Sequence, residues 1–185
     1  MKNRIFTISL MVFLFMVLTK CDTDKNPLSY DDTNIIMNSS FEENGSPSLD
    51  HWTVYDSKIV CFDNDVPPGG GKWAVYFHAG WFPSVYTLSY FLPLTSGEYI
   101  LNLSLWARYK SIRGSAFLML KRDNIEKIIE SIEIKDTEWT KYSVLDTLRI
   151  NSGDSLFILL SAGGTEVADG ETHFDLVEVN ISNND

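Results

Sequence analysis

The chain has 185 residues, with 15 Lys and Arg against 25 Asp and Glu, a net charge of −10, and 13% aromatic residues. No cluster of bases exceeds a pair, so the positive patch that displaces counterions from a polyanion is missing and nucleic acid is excluded as a partner. Only two cysteines occur, Cys21 and Cys61, too few for a disulfide framework.

The first element is a basic cap, Lys2 and Arg4, followed by an uncharged run from Ile5 to Leu18. Its length and polarity are those of a signal-peptide hydrophobic region, and it falls short of the roughly 20 apolar residues of a transmembrane helix. Leu18-Thr19-Lys20-Cys21 resembles the lipobox of bacterial lipoproteins, in which the cysteine is acylated and becomes the new N-terminus; Lys20 stands where that motif has a small residue. The resemblance implies a signal peptide over 1–20 and a chain lipid-anchored to the membrane at Cys21, in the bacterial cell envelope at the outer membrane or cell surface. Secretion without an anchor, or an uncleaved N-terminal anchor, is the alternative. Loss of residues 1–20 removes Lys2, Arg4 and Lys20 and no acid, leaving 12 basic residues against 25 acidic ones, a charge of −13. Residues 21–33 are polar, with few groups able to build a core, and read as a flexible tether. Residues 34–182 then form one domain, long enough to bury a substantial core.

From Asn34 onward, short runs rich in Val, Ile, Phe, Tyr, Trp and Thr alternate with Gly, Pro, Asn, Asp and Ser, the pattern of many strands and few helices. Strands are expected near 34–41, 51–55, 58–63, 72–79, 84–93, 98–109, 115–122, 138–149, 155–162 and 172–181. Residues 125–134 fit either a strand or a short helix, since Ile125, Ile128, Ile129 and Ile132 share a helical face while Ile132 and Ile134 alternate. The clearest strand is Tyr99 to Tyr109. Its two-residue period sets Tyr99, Leu101, Leu103 and Leu105 toward a core and Asn102, Ser104, Trp106 and Arg108 away from it. Trp73, Val75 and Phe77 are likewise separated from Ala74, Tyr76 and His78. About ten such strands imply an all-β fold of two packed antiparallel sheets, a β-sandwich.

Several segments together resemble the jelly-roll carbohydrate-binding modules of the CBM4/9 type, which have a galactose-binding-like fold. They are Asn38-Ser-Ser-Phe41-Glu42 with Ser48-Leu-Asp-His-Trp52, Gly71-Lys72-Trp73-Ala74-Val75, Ser96-Gly97-Glu98-Tyr99 through Trp106, Thr137-Glu138-Trp139 through Val144, and Phe174-Asp175-Leu176-Val177-Glu178-Val179. Their order fits over residues 34–181. The resemblance implies a non-catalytic module with a poly- or oligosaccharide partner, and a structural calcium held by Glu42, Asp175 and the carbonyls around Gly71 and Lys72. Calcium takes six to eight oxygens at about 2.3–2.6 Å, so main-chain and water oxygens must complete such a site. A turn-capping Glu42 and a hydrogen-bonded Asp175 are the simpler alternative.

A saccharide needs an aromatic ring to stack on and planar polar groups to bond its hydroxyls. Trp106, Arg108, Tyr76, His78 and the loop residue Trp81 could supply these, although Trp and Tyr are also common as half-buried packing residues. Cys61, within Ile59-Val60-Cys61-Phe62, reads as a buried structural thiol. The sequence contains no Gly-x-Ser-x-Gly, His-Glu-x-x-His or Cys-x-x-Cys, and His51, His78 and His173 are not at metal-ligand spacing. Asp169 and Glu171 could serve a glycoside hydrolase, but beside Gly163, Gly164 and Gly170 they fit solvated turns better. A structural or adhesive envelope module that binds a protein partner is the competing non-enzymatic reading.

Overall fold

A computed structural model describes residues 34–55, 57–79, 85–162 and 170–183. The expected signal peptide, Cys21, the tether, Trp81 and Asp169 lie outside the described residues.

Twelve strands occur in the described residues, with no helix. In chain order they are β1 (Glu42–Glu43), β2 (Ser46–Pro47), β3 (Thr53–Val54), β4 (Val60–Asp63), β5 (Ala74–Ala79), β6 (Val85–Leu92), β7 (Gly97–Lys110), β8 (Ser115–Arg122), β9 (Ile125–Glu133), β10 (Thr140–Ile150), β11 (Ser155–Ala162) and β12 (Gly170–Asn183). Strands β1 and β2 form a small hairpin. The others make two antiparallel five-stranded sheets, the first in the order β10-β7-β12-β5-β4 and the second in the order β3-β6-β11-β8-β9. This is the two-sheet sandwich that the alternation predicts, in the jelly-roll form that the resemblance implies.

The core lies between the sheets and takes the inward half of each strand. Leu101, Leu103 and Leu105 of β7 are almost completely buried, as are Val75 and Phe77 of β5. From the second sheet come Leu88 and Leu92 of β6, Leu118 of β8, and Leu156, Ile158 and Leu160 of β11. Register is strongly fixed here, because a one-residue slip of β7 would turn its leucines outward and Arg108 inward.

The segment left open is decided by its pairing, and one expected strand is not formed. The 125–134 segment is strand β9, paired with β8 from Arg122↔Ile125 to Ser115↔Glu133. Pairing settles what local periodicity leaves open. The expected strand at 34–41 is instead a bridge at Asn34 followed by turns, because Asn38 and Phe41 adopt left-handed φ of 55° each. This segment still continues the first sheet where β5 ends. Ile35 N–H donates to Val179 O, Val177 N–H to Ser39 O, and Val179 N–H to Asn34 Oδ1. Asn38 is the hub of the entry: its Nδ2 donates to the carbonyls of Ser48 and Asp50, and its own carbonyl accepts the Trp52 indole N–H. The turn thereby seats Phe41 against Trp52, with centroids 5.0 Å apart, and Trp52 against Tyr90 at 5.2 Å.

A bulge in β12 shapes the first sheet's outer surface. Asp175 pairs with Trp106 and Glu178 with Ser104, so β12 carries one extra residue against β7. Leu176 takes the left-handed conformation at φ 47°, as an inserted residue in a bulge often must. Val177 is consequently sunk in the core while Asp175 remains on the opposite side.

Candidate functional site: two outer faces and a carboxylate pair

Side chains on the outer face of the first sheet form a row across four strands. Cys61 is opposite Tyr76, Tyr76 opposite His173, and His173 opposite Arg108. Tyr76 stacks on His173 at 5.0 Å between centroids and 20° between planes. Arg108 is only 7% exposed, and its Nη2 lies 2.6 Å from Asp65 Oδ2. Trp139 covers the row: its ring is 5.1 Å from the Arg108 guanidinium carbon, edge-on to His173, and its indole N–H donates to Asp65 Oδ1 at 3.2 Å.

The electrostatics follow from this enclosure. Burial pushes the Asp65 carboxyl upward, but the hydrogen bonds from Trp139 and Arg108 outweigh it and hold the group below its ordinary range. Burial pushes His173 down, with Arg108 and Lys110 adding to the effect against the hydrogen bond to Glu171. His173 is therefore neutral at pH 7. Burial raises Glu171, yet contacts with His173 at 3.1 Å and Lys110 at 3.3 Å bring it below the ordinary value.

Of the five residues expected to meet ligand, the fold brings Trp106, Arg108, Tyr76 and His78 onto this one face; Trp81 is outside the described residues. Their situations differ. Arg108 is enclosed by Asp65 and Trp139, Tyr76 is half-buried on His173, Trp106 is half-buried beside Asp175, and His78 is exposed. Cys61 is a free thiol, half-buried on this outer face and not in the core. The expectation of a buried thiol is corrected by pleat direction: Val60 and Phe62 take the inward positions of β4 and pack against the core.

The second sheet's outer face has a different chemistry. One cross-strand row is Phe91, Phe157, Met119 and Ile128; a second includes Ser89, Leu159 and Phe117. Phe91 is 51% exposed and Tyr55, at the end of β3, is 60% exposed. The Phe91 and Phe157 rings lie 5.5 Å apart at 57°, and the Ser89 hydroxyl donates to the Tyr55 hydroxyl at 3.3 Å. A hollow of about 280 Å³ opens beside Tyr55, Phe157 and Leu159 and is bordered by the ion pair Lys121–Glu126. Exposed rings, a hollow and a few polar groups form the arrangement expected of a small-molecule site. Sequence reading passed over these residues. The alternation in Leu156-Phe157-Ile158-Leu159-Leu160 is hidden by a run that is apolar on both faces.

The third feature is the pair Glu42 and Asp175 at the β12 bulge. Glu42 Oε2 accepts the amides of Lys72 at 2.7 Å and Trp73 at 3.2 Å. A Cβ on Gly71 would overlap the Glu42 carboxylate, and one on Gly70 would lie 2.6 Å from Asp175 Oδ2. These glycines let the backbone close on both acids. Asp175 is fully buried, Oδ1 accepts the Leu176 amide at 2.7 Å, and Oδ2 has no hydrogen-bond partner. Burial, with the nearby Glu42 charge, pushes its pKa up to about 7. An unpartnered buried carboxylate oxygen beside a second carboxylate is a donor set that fits a hard cation. No group of three or more His, Cys, Asp or Glu among the described residues is arranged to hold a metal, so carbonyl and water oxygens would have to complete this one.

No protein-family model and no curated protein matches the chain. Solved structures do. A family 61 carbohydrate-binding module in complex with β-1,4-galactotriose aligns with a TM-score of 0.53 at 21% identity, over 82% of this chain and 99% of that one. The CBM22-1 xylan-binding domain of Paenibacillus barcinonensis Xyn10C aligns at 0.55 and 14% identity, over 80% and 94%. A family 16 carbohydrate-binding module aligns at 0.57 and 16% identity, over 79% and 99%. At these identities the likeness is one of fold: this chain has the jelly-roll sandwich found in carbohydrate-binding modules.

Proposed function

We propose that the protein is a non-catalytic glycan-binding module, tethered through a lipid on Cys21 at the bacterial cell surface, that holds a poly- or oligosaccharide on the outer face of its second sheet. The carrying observation is the exposure of Tyr55 and Phe91 beside Phe157 and the adjoining hollow. Exposed rings offer flat apolar surface to a pyranose, and the Tyr55 hydroxyl, Lys121 and Glu126 supply hydrogen-bonding groups at its edge. The saccharide-binding domains among the solved structures of this fold support the reading. On the first sheet, Arg108 is already committed to Asp65 and Trp139, which leaves Trp106, Tyr76 and His78 as a secondary surface. Glu171, held by His173 and Lys110 below its ordinary pKa, is poorly suited to act as a glycosidase acid, which needs a raised one.

A calcium ion at Glu42 and Asp175, completed by the carbonyls around Gly71 and Lys72, belongs to the same proposal. It would neutralise the half-buried Glu42 and the buried Asp175 and pin the entry hairpin to the β12 bulge.

Affinity electrophoresis of the full chain against plant, algal and host glycans tests the function. Retardation by at least one glycan is expected. Tyr55→Ala and Phe91→Ala should each weaken binding about tenfold or more if these rings are binding hot spots. Unchanged retention in both variants would move the site elsewhere, with Trp106→Ala as the next variant. A stable envelope protein captured on the same face and not displaced by glycans would favour the adhesive reading.

A further inference from the structure

The open edge of the sandwich between β9 and β10 contains a cleft of about 440 Å³, within the range of about 300–1,000 Å³ typical of small-molecule sites. No ladder joins these two strands, which are the edges of different sheets. The floor is aliphatic and continuous with the core: Leu120 is buried, Ile129 and Leu148 pack against the core, and Ile125 at the mouth is 70% exposed. None of the lining residues is aromatic, in contrast to the face proposed for glycan.

The rim is cationic. Lys127 comes from β9 and Arg149 from β10. Lys127 has no ion-pair partner among the described residues, and Arg149 has only Glu98 at 3.9 Å with 76% of its side chain exposed. Arg122 forms part of the wall, held by both oxygens of Asp154 and by the Arg149 carbonyl. Asp123, in the β8–β9 turn, is the one acid in the lining. In a chain of net charge −10, one unpaired cation, Lys127, and one exposed and only loosely paired cation, Arg149, at the mouth of an aliphatic cleft are complementary to an acyl chain with an anionic head.

We propose that this cleft binds an acyl chain bearing a carboxylate or phosphate head, with the chain against Ile125, Ile129 and Leu148 and the head between Lys127 and Arg149. This ligand is independent of the glycan reading. The same chemistry is found in a free fatty acid and in an anionic membrane lipid.

The full chain, carrying ¹³C-methyl Ile and Leu, is titrated with decanoate and, separately, with decyltrimethylammonium. Decanoate should shift the methyls of Ile125, Ile129 and Leu148 and bind several-fold tighter than the cationic amphiphile. Ile125→Asp should weaken decanoate about tenfold, the scale expected for losing one buried aliphatic side chain. Lys127→Glu should weaken it about fivefold, the upper range for an exposed charge contact, while Lys135→Glu, an exposed control away from the cleft, should not. Both substituted cleft positions are exposed, so little loss of stability is expected from either substitution. Co-sedimentation stronger with phosphatidylglycerol than with phosphatidylcholine vesicles, the difference reduced by Lys127→Glu and unaffected by Lys135→Glu, would identify the source as membrane lipid; decanoate binding without that difference would identify a free acid. Equal affinity for the two amphiphiles, no shift at the cleft methyls, or decanoate binding unchanged in Lys127→Glu would overturn the proposal.

Discussion

The Nη2 of Arg108 lies 2.6 Å from Oδ2 of Asp65, and Trp139 holds both partners: its ring lies over the guanidinium while its indole N–H donates to the same carboxylate. A guanidinium that faces away from the core is thus almost fully enclosed without entering it. Trp139→Ala should remove the cation–π contact and the hydrogen bond together, lowering unfolding free energy by about 1–3 kcal/mol. Urea unfolding of the pair Trp139→Ala and Trp139→Phe checks this, since Phe keeps the ring over Arg108 and loses only the donor.

His173 provides an acid-side dependence. Its pKa in the fold lies below the ordinary value because burial disfavours the charged ring. The unfolded chain therefore takes up a proton first as pH falls. The contribution from His173 is complete above about pH 6.5 and declines as pH drops toward the depressed value. His173→Gln should be less sensitive to acid as pH falls below about 6.5, as measured by thermal unfolding over a falling pH series.

Asp175 acts in the opposite direction. With a pKa of about 7 in the fold, it favours the protonated native state, so its contribution is greatest below about pH 4, the unfolded carboxyl value, and is lost as pH rises through about 7. Asp175→Asn should consequently stabilise the metal-free chain at pH 8 by on the order of 1–3 kcal/mol, and have little effect at pH 4. Melting temperatures of the two proteins at both pH values, in chelator, test this.

Calcium should reverse that comparison. If the ion binds only the folded chain, stability rises with its concentration through mass action, by about 2.7 kcal/mol at a hundredfold excess over Kd. The native protein at pH 8 should melt higher in calcium than in chelator, while Asp175→Asn and Glu42→Gln should show little or no increase. An equal increase in all three proteins would place the ion elsewhere.

Gly71→Ala tests the close approach that brings these acids together. The added methyl would occupy the position of the Glu42 carboxylate, so the hydrogen bonds from Lys72 and Trp73 would have to give way. A loss of about 1–3 kcal/mol is expected by denaturant unfolding, whereas Gly69→Ala, with open space around the added methyl but φ of +82°, should cost only the backbone strain.

Much of the architecture is legible in the order of residues because burial acts locally on alternation. The β7 leucines, the approximate extents of β5 to β8 and β10 to β12, and the two-sheet class follow from alternation and turn residues, whereas β9 is open between strand and helix until its pairing with β8 decides it. The Asn38, Phe41 and Trp52 motif was also legible, and the structure shows what it encodes: a turn and an aromatic seat, which are features of folding and not of ligand binding. The 34–41 segment reads as a strand because Ile35, Ile36, Met37 and Phe41 are strand-type residues, whereas the left-handed φ at Asn38 and Phe41 leaves no mark on side-chain hydropathy.

Tertiary structure decided the sites. The sequence marked Arg108 and Tyr76 as outward-facing, but His173 comes between them only because β12 lies between β5 and β7. Asp65 and Trp139, 74 positions apart, meet over Arg108 by loop placement that no local period records. On the second sheet, Tyr55, Phe91 and Phe157 become one exposed surface through strand order, since each is an ordinary apolar residue in its own strand. Sequence by itself determined which side of a strand is dry, because that depends on neighbours two residues away. It did not determine which outward side chains share a surface, because that depends on which strands pair, and pairing is set by the packing of the whole core.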